Sequence, residues 1–334
     1  MAINLDTIIS HVCETVRSHR LDGEGRYARW LWQDADDTRQ LGLNEYGCAD
    51  AANILYTIGE FPSASQSREQ WIKTLQELQN PESGLFAEAT HHTIHTTAHC
   101  IAALELFDAK PQYPLKGLMQ FADKAGLYTL LDNLDWENNA WPQSHQGAGI
   151  YAAMVLTDSV DESWRDAYFA WMWENADPKT GFWKKGTVCQ GTAPLYQFMA
   201  GGFHYLFNHE YAHMPIRYPE KMLDSCLEMY ETSALPASFG QDTGFIEVDW
   251  VYCINRARRQ TPYRYHDCQK ALTAFAKTYT DFLSSIDVRS HDGFNDLHML
   301  FGSVCCLAEL QQALPGMLRS KTPLKLVLDR RPFI

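Results

Sequence analysis

Apolar residues recur along this chain at helical spacing in two alternating kinds of segment. The first kind, seen in Arg68–Gln79, Leu115–Asp132, Ser163–Glu174 and Pro219–Glu231, mixes charged with apolar positions and predicts a helix with one wet face. The second, seen in Ala49–Tyr56, Thr96–Leu106, Ala148–Leu156 and Leu297–Leu307, is apolar nearly all round and rich in Ala, Gly and Cys. Such a helix must be buried on most faces, and its small residues let neighbouring backbones approach closely. Between the two kinds sits a short loop ending in Gly and an aromatic. It reads Asn80-Pro81-Glu82-Ser83-Gly84-Leu85-Phe86, then Asp177-Pro178-Lys179-Thr180-Gly181-Phe182-Trp183. Weaker copies occur at Gln241–Phe245 and Ser290–Phe294, and Asn138-Asn139-Ala140-Trp141 fills the slot between.

The second helices begin near Gly47, His95, Gly147, Thr192, Glu247 and Asp296, a period of roughly fifty residues. Helix pairs at that period, with the buried member inside and the amphipathic member outside, predict an all-α fold: a single (α/α)6 toroid, a barrel of six helical hairpins. The inner helices would begin at one mouth, where chemistry is expected. Pro62–Ser67 and Ala234–Phe239 are turns, not linkers, so residues 1–334 form one expected domain, with 319–334 as an extended C-terminal arm on the outer surface.

Composition narrows the function classes. A formal net charge of −13 argues against nucleic acid or an anionic membrane as partner, since either would need a basic patch. The nine cysteines include no CxxC pair, Met1–Ser18 reads as an amphipathic helix and not a signal peptide, and no apolar run is long enough to span a bilayer. A cytoplasmic protein is expected; its oligomeric state is not legible.

The predicted mouth collects polar and aromatic side chains. The first inner helix offers Asn44, Glu45, Tyr46 and Asp50; the second Glu88, His91, His92, His95 and His99; the third Trp141, Ser144, His145 and Gln146. The fourth offers Trp183, Lys185, Gln190 and Tyr196; the fifth Glu247, Asp249 and Trp250; the sixth Asn295, Asp296 and His298. Polar groups at one end of an apolar funnel suit a small-molecule site, although Asp, Asn and Ser before a helix are also ordinary caps. His91, His95 and His99 are spaced four apart and would share a helical face if the helix begins early enough, with His92 pointing elsewhere, and imidazoles so spaced can share a zinc ion. The zinc pattern with Glu between two His is absent, so no metal and no cofactor is expected. Hydrogen bonding or proton transfer by His92 or His95 is the favoured role. Asp249 and Asp296 would reach the same mouth from neighbouring helices, as general acid/base chemistry by a carboxylate pair requires.

Two resemblances follow from these motifs. The Asn/Asp-Pro-x-x-Gly-aromatic loops with Ala-rich inner helices, best copied in Gln79–Leu106, resemble the α/α toroids of terpenoid cyclases, protein prenyltransferase β subunits and six-hairpin carbohydrate-active proteins. Asp34-Ala35-Asp36-Asp37-Thr38 resembles the Asp-x-Asp-Asp-Thr string of class II terpenoid cyclases, in which the middle Asp protonates the substrate; that would make Asp36 the acid. The prenyltransferase zinc pattern Asp-x-Cys is not matched, because Asp249 and Cys253 are four apart, with His298 downstream. Terpenoid cyclases usually add further helical domains and a greasy cavity. The single-ring size resembles glycoside hydrolases, polysaccharide lyases and sugar epimerases.

The expectation is therefore an enzyme acting on a small saccharide by general acid/base chemistry, hydrolysis first, with elimination or epimerisation close behind. Asp249, Asp296, His92, His95 and His298 are the expected catalytic groups. Glu45, Glu88, Trp141, His145, Gln146, Trp183, Tyr196, Glu247 and Trp250 are the expected binding groups, the Trp side chains stacking on sugar faces. A terpenoid cyclase-like enzyme using Asp36 and a non-catalytic toroid binding a glycan or peptide are the alternatives.

Overall fold

The computed structural model describes residues 2–334. It is all-α apart from a short parallel pair, β1 (Ile3–Asn4) with β2 (Leu318–Arg319). The helices in its first half are α1 (Asp6–Ser18), α2 (Glu45–Ile58), α3 (Ser65–Glu77), α4 (Thr93–Glu105), α5 (Lys124–Asn133), α6 (Trp136–Leu156) and α7 (Glu162–Asn175). Those in the second half are α8 (Leu195–Tyr211), α9 (Pro219–Glu231), α10 (Ile246–Arg258), α11 (Tyr265–Ser285), α12 (Asp292–Asn295), α13 (Leu297–Ala313) and α14 (Val327–Arg330). Among the described residues no helix is long and apolar enough to cross a membrane.

The helices α2, α4, α6, α8, α10 and α13 pack each on the next, and α13 packs back on α2, so they close a cycle. These are the apolar segments of the sequence pattern, and nearly all their residues are buried. Each is preceded by an amphipathic helix: α3 packs on α2 and α4, α9 on α8 and α10, and α11 on α10 and α13. The repeated loop has a repeated hydrogen-bond plan. Asn80 Oδ1 accepts from the Glu82 and Ser83 amides, and Asp177 Oδ1 accepts from Lys179 and Thr180. Gly84 and Gly181 then turn the chain at φ +76° and +80°, a region that side chains other than Gly rarely adopt.

Three expectations need correction. The segment expected to be one helix over 115–132 is a 3-10 turn, Lys116–Phe121, followed by α5, which Asp123 caps by accepting from the Gly126 amide. Asn138–Trp141 is not a loop: α6 begins at Trp136, capped by Asp135, and runs on through a break at Asn139.

The arm is not laid on the outer surface. Arg256 of α10 donates to Glu309 of α13 at 2.7 and 3.0 Å and to Asp329 at 2.6 Å, which fastens α14 against the ring. Beyond α14, Phe333 and Ile334 are buried inside it, with Phe333 4.9 Å from the His95 ring. The apolar residues Val327, Leu328, Phe333 and Ile334 drive that burial. Of the intervening charges, Asp329 and Arg330 are paired with Arg256, Arg259, Glu105 and Asp108, whereas Arg331 is fully buried with no hydrogen-bond partner for its guanidinium among the described residues, a cost that the apolar burial offsets.

Candidate functional site

The segment between α1 and α2 crosses the end of the ring where the inner helices begin. Asn295 holds it there, accepting from the Leu31 and Trp32 amides and donating to the Trp32 carbonyl. Gly47 lets it lie directly on α2, since a Cβ at that position would stand 2.5 Å from the backbone of Ala28. This contact delivers Arg29 to the mouth. Its guanidinium donates to both oxygens of Asp296 at 2.9 and 3.0 Å and to Thr90 Oγ1 at 2.7 Å, with Glu88 3.6 Å away. Asp296 also caps α13 by accepting from the His298 amide.

Behind Arg29, imidazoles line one wall of a cavity of about 210 Å³. His91, His95, His145, His204 and His298 face it, with Arg29, Trp141, Phe245, Met299 and Ile334 completing the lining. His95, His145, His204 and His298 come from α4, α6, α8 and α13, and His91 from the bend just before α4. His91 and His95 stack at 4.8 Å, and His95 lies 4.4 Å from His145, which is 4.5 Å from His204 (ring centroids). Deeper in, Asp50 of α2 is fully buried between two imidazoles. Its Oδ1 accepts from His99 Nε2 at 2.8 Å, and its Oδ2 accepts from His298 Nδ1 at 3.1 Å. The proton on His298 Nδ1 is thus spoken for, and Nε2 is left as a lone pair. Tyr46 Oη meets His95 Nδ1 at 2.5 Å, and His204 Nδ1 donates to the Ala200 carbonyl at 2.9 Å.

Electrostatics follow from burial. Desolvation, reinforced by neighbouring imidazoles, lowers the His95 and His145 pKa well below the ordinary value; desolvation also takes His204 to about 3 and His298 to about 4. These rings are neutral at physiological pH. Burial alone would raise the Asp50 carboxyl, but the facing His298 and His99 outweigh it and hold the group well below the carboxylate range. Burial of Glu88 is likewise outweighed by hydrogen bonds from His91 and Thr90 and by Arg29, which bring it to about 2. The mouth therefore contains fixed anions behind a wall of neutral bases.

Of the residues expected at the site, His95, His298, His145 and Trp141 line the cavity. Glu88 and Asp296 stand behind Arg29 as its ion-pair partners. His92 is not at the cavity: it is exposed and caps α4 by accepting from the Ile94 amide. Asp249 and Asp296 do not form a carboxylate pair at the cavity, because Asp296 is committed to Arg29 and Asp249 is fully buried within α10. Neither oxygen of Asp249 has a partner, and burial raises its pKa well above the ordinary value. Glu247 accepts from the Gly240 amide, away from the cavity lining, and burial raises it to about 7.

The two remaining tryptophans are packing residues and cannot stack on a ligand there. Trp183 donates to the Met172 carbonyl and packs on Tyr205 and His209. Trp250 donates to the Cys226 carbonyl and packs on Tyr230, Phe239 and Phe275. Glu45, Gln146 and Tyr196 are partly buried but do not line the cavity. Asp36 is exposed in the crossing segment, so the terpenoid-type acid does not face an apolar cavity. A larger cleft of about 300 Å³ beside Trp183 borders the outer helix α7, and of the ring histidines only His209 reaches it, with its Nδ1 taken by the Tyr205 carbonyl.

Sequence reading missed Arg29 and His204 and gave Tyr46 and Asp50 no role. The signal for His204 is a polar residue within the apolar run Phe198–Phe207. Arg29 has no local signal, since long-range contacts bring it to the mouth.

Two groups have the donor types and proximity that a metal ion needs: His95 with His145 and His204, and Asp50 with His99 and His298, each with one donor atom per residue within 4.8 Å of the others. Comparison of the chain with family models, with curated proteins and with solved structures finds no match, so the chemistry of this cavity carries the functional reading.

Proposed function

We propose that this chain is an enzyme that moves a proton on a small saccharide or a related hydroxylated molecule held in the histidine cavity. The observation that carries this is the Asp50–His298 pair. A buried carboxylate accepts Nδ1–H of an imidazole whose ring borders the cavity, the arrangement in which a base is oriented by a third group. His298 Nε2 takes a proton from a substrate C–H, and the Asp50 anion stabilises the imidazolium that forms. Return of that proton to the leaving hydroxyl, as the C–O bond breaks, gives elimination with release of water; swap of the imidazolium proton with solvent before return to carbon gives isotope exchange, and protonation of the opposite face of the carbanion gives epimerisation. Arg29, itself part of the lining, is the one cationic side chain among the described residues there that could face the oxyanion that develops beside the abstracted proton, its charge already shared with Asp296 and Glu88.

Elimination or epimerisation is favoured over hydrolysis, since the carboxylates proposed for hydrolysis are not paired at the cavity. The volume admits one sugar-sized molecule, and Trp141 offers an aromatic face for it.

The test is incubation in D2O with a panel of aldoses, ketoses, uronates and short uronides, followed by proton NMR. Deuterium should enter at a carbon next to a carbonyl, or an unsaturated product should form. His298→Gln should slow this by about 10²–10⁴-fold. An inert panel, or wild-type rates in His298→Gln, refutes the reading.

A further inference from the structure

We infer that His95, His145 and His204 bind one divalent first-row transition-metal ion, with a remaining coordination position open to the histidine cavity. The residues belong to α4, α6 and α8, consecutive members of the ring, and their donor nitrogens converge to within 4.8 Å of one another. Hydrogen bonding fixes the His204 tautomer that ligation requires and is compatible with the one required at His95. The Ala200 carbonyl can only accept, so His204 carries its proton on Nδ1 and presents a bare Nε2. Tyr46 Oη lies 2.5 Å from His95 Nδ1, and donation from that nitrogen leaves the His95 Nε2 lone pair free. The His145 ring lies between the other two, 4.4 Å from His95 and 4.5 Å from His204 (ring centroids).

Neutral imidazoles crowded into one wall of the cavity bring their acceptor nitrogens together, and a single cation can take all of them at once. The donor chemistry narrows the ion. An all-imidazole set, with neither thiolate nor carboxylate, suits borderline ions such as zinc or cobalt and leaves their charge unneutralised for a bound oxygen. Three protein ligands with an accessible position is the pattern of a working site and not of a closed structural one. The second group is a poorer candidate, because both oxygens of Asp50 already accept protons from His99 and His298.

The metal site does not depend on the proton-transfer reading. Where both hold, the ion would polarise the substrate oxygen while His298 removes the proton.

The test uses the full chain stripped with chelator. Zn2+ is titrated by calorimetry against a competing chelator, and Co2+ is followed by its visible absorption. One ion per chain is expected, with a Kd of about 1 µM or tighter, and intense Co2+ bands indicating nitrogen ligands in low coordination number. His145→Gln and His204→Gln should each weaken binding by at least about 100-fold, and Tyr46→Phe, which alters only the support of His95, by about 10-fold. X-ray absorption on the Zn2+ form should give nitrogen neighbours at about 2.0–2.1 Å with imidazole outer-shell scattering, a readout that does not rely on folded variants. Absence of binding, binding unchanged in both ligand variants, or a sulfur or all-oxygen shell overturns the inference. His298→Gln should keep the ion while losing isotope exchange. An ion bound by a wild-type chain that is inert to the whole panel would leave the metal site standing and sink only the proposed reaction.

Discussion

Glu247→Gln should remove much of the pH dependence of stability between pH 5 and 8. Glu247 is fully buried at the start of α10, where Oε1 accepts from the Gly240 amide and Oε2 has no partner. Desolvation is the main cause that moves it from its ordinary 4.5 to about 7, against the Gly240 hydrogen bond and with a smaller push from Asp242. A carboxyl raised in the folded state binds its proton more tightly there than in the unfolded chain. Its stabilising contribution is whole below pH 4.5, declines as pH rises, and is lost above about 7. A shift of that size corresponds to about 3 kcal/mol.

Glutamine copies the protonated acid in shape and keeps the acceptor for Gly240, so it should be nearly neutral at pH 5. The titratable neighbours Asp242, Tyr279 and Cys306 are present in both proteins, as is Asp249, whose raised pKa, due mainly to burial and in smaller part to Glu247, leaves it a pH dependence of its own. Urea unfolding of the two proteins at pH 5, 6, 7 and 8 is the assay. The wild type should lose about 2.5 kcal/mol relative to Glu247→Gln across the series, mostly below pH 7. Parallel curves would show that Glu247 does not hold its proton in the fold.

Two further stability predictions come from the other end of the ring. Arg256→Ala strands Glu309 and frees α14, and should cost about 3–5 kcal/mol by urea unfolding, part of it recovered by adding Glu309→Gln. Phe333→Ala should cost about 3–5 kcal/mol by the same assay if the side chain fills the interior as described, whereas a residue lying on the surface would cost almost nothing.

What could be read from the sequence was the part set by local rules. Helical periodicity with small-residue richness marked the inner helices, and the boundaries of α9 were legible because Pro219 starts it. The Asn/Asp to Gly loop repeats its hydrogen bonds as it repeats its letters. The start of α6 was not legible, because paired Asn residues and an internal Pro142 oppose helix locally, and the Asp135 cap with ring packing overrides them. At the site, His95, His145 and His298 could be placed by helix starts alone. The Arg29–Asp296 and Asp50–His298 contacts join residues more than two hundred positions apart, which periodicity does not encode. Asp249 and Asp296 were misassigned because sequence places a carboxylate at a helix start without saying what it touches.

Closure of the ring between α2 and α13 has a consequence for assembly. Asp50 and His298 are 248 positions apart, and Arg29 and Asp296 are 267 apart, so the proposed base and its orienting carboxylate meet only across this seam. Contacts of such separation form late, after the entropy of a long loop has been overcome. A folding intermediate can already hold the imidazole wall of α4, α6 and α8 while α2 and α10 still expose the apolar flanks that α13 will cover. Those flanks would accept the α13 of another copy as readily as their own, so exchanged dimers are the expected product of refolding at high concentration. In dilute solution, the Asp50–His298 contact would serve as a marker of molecules that have completed the last step of folding.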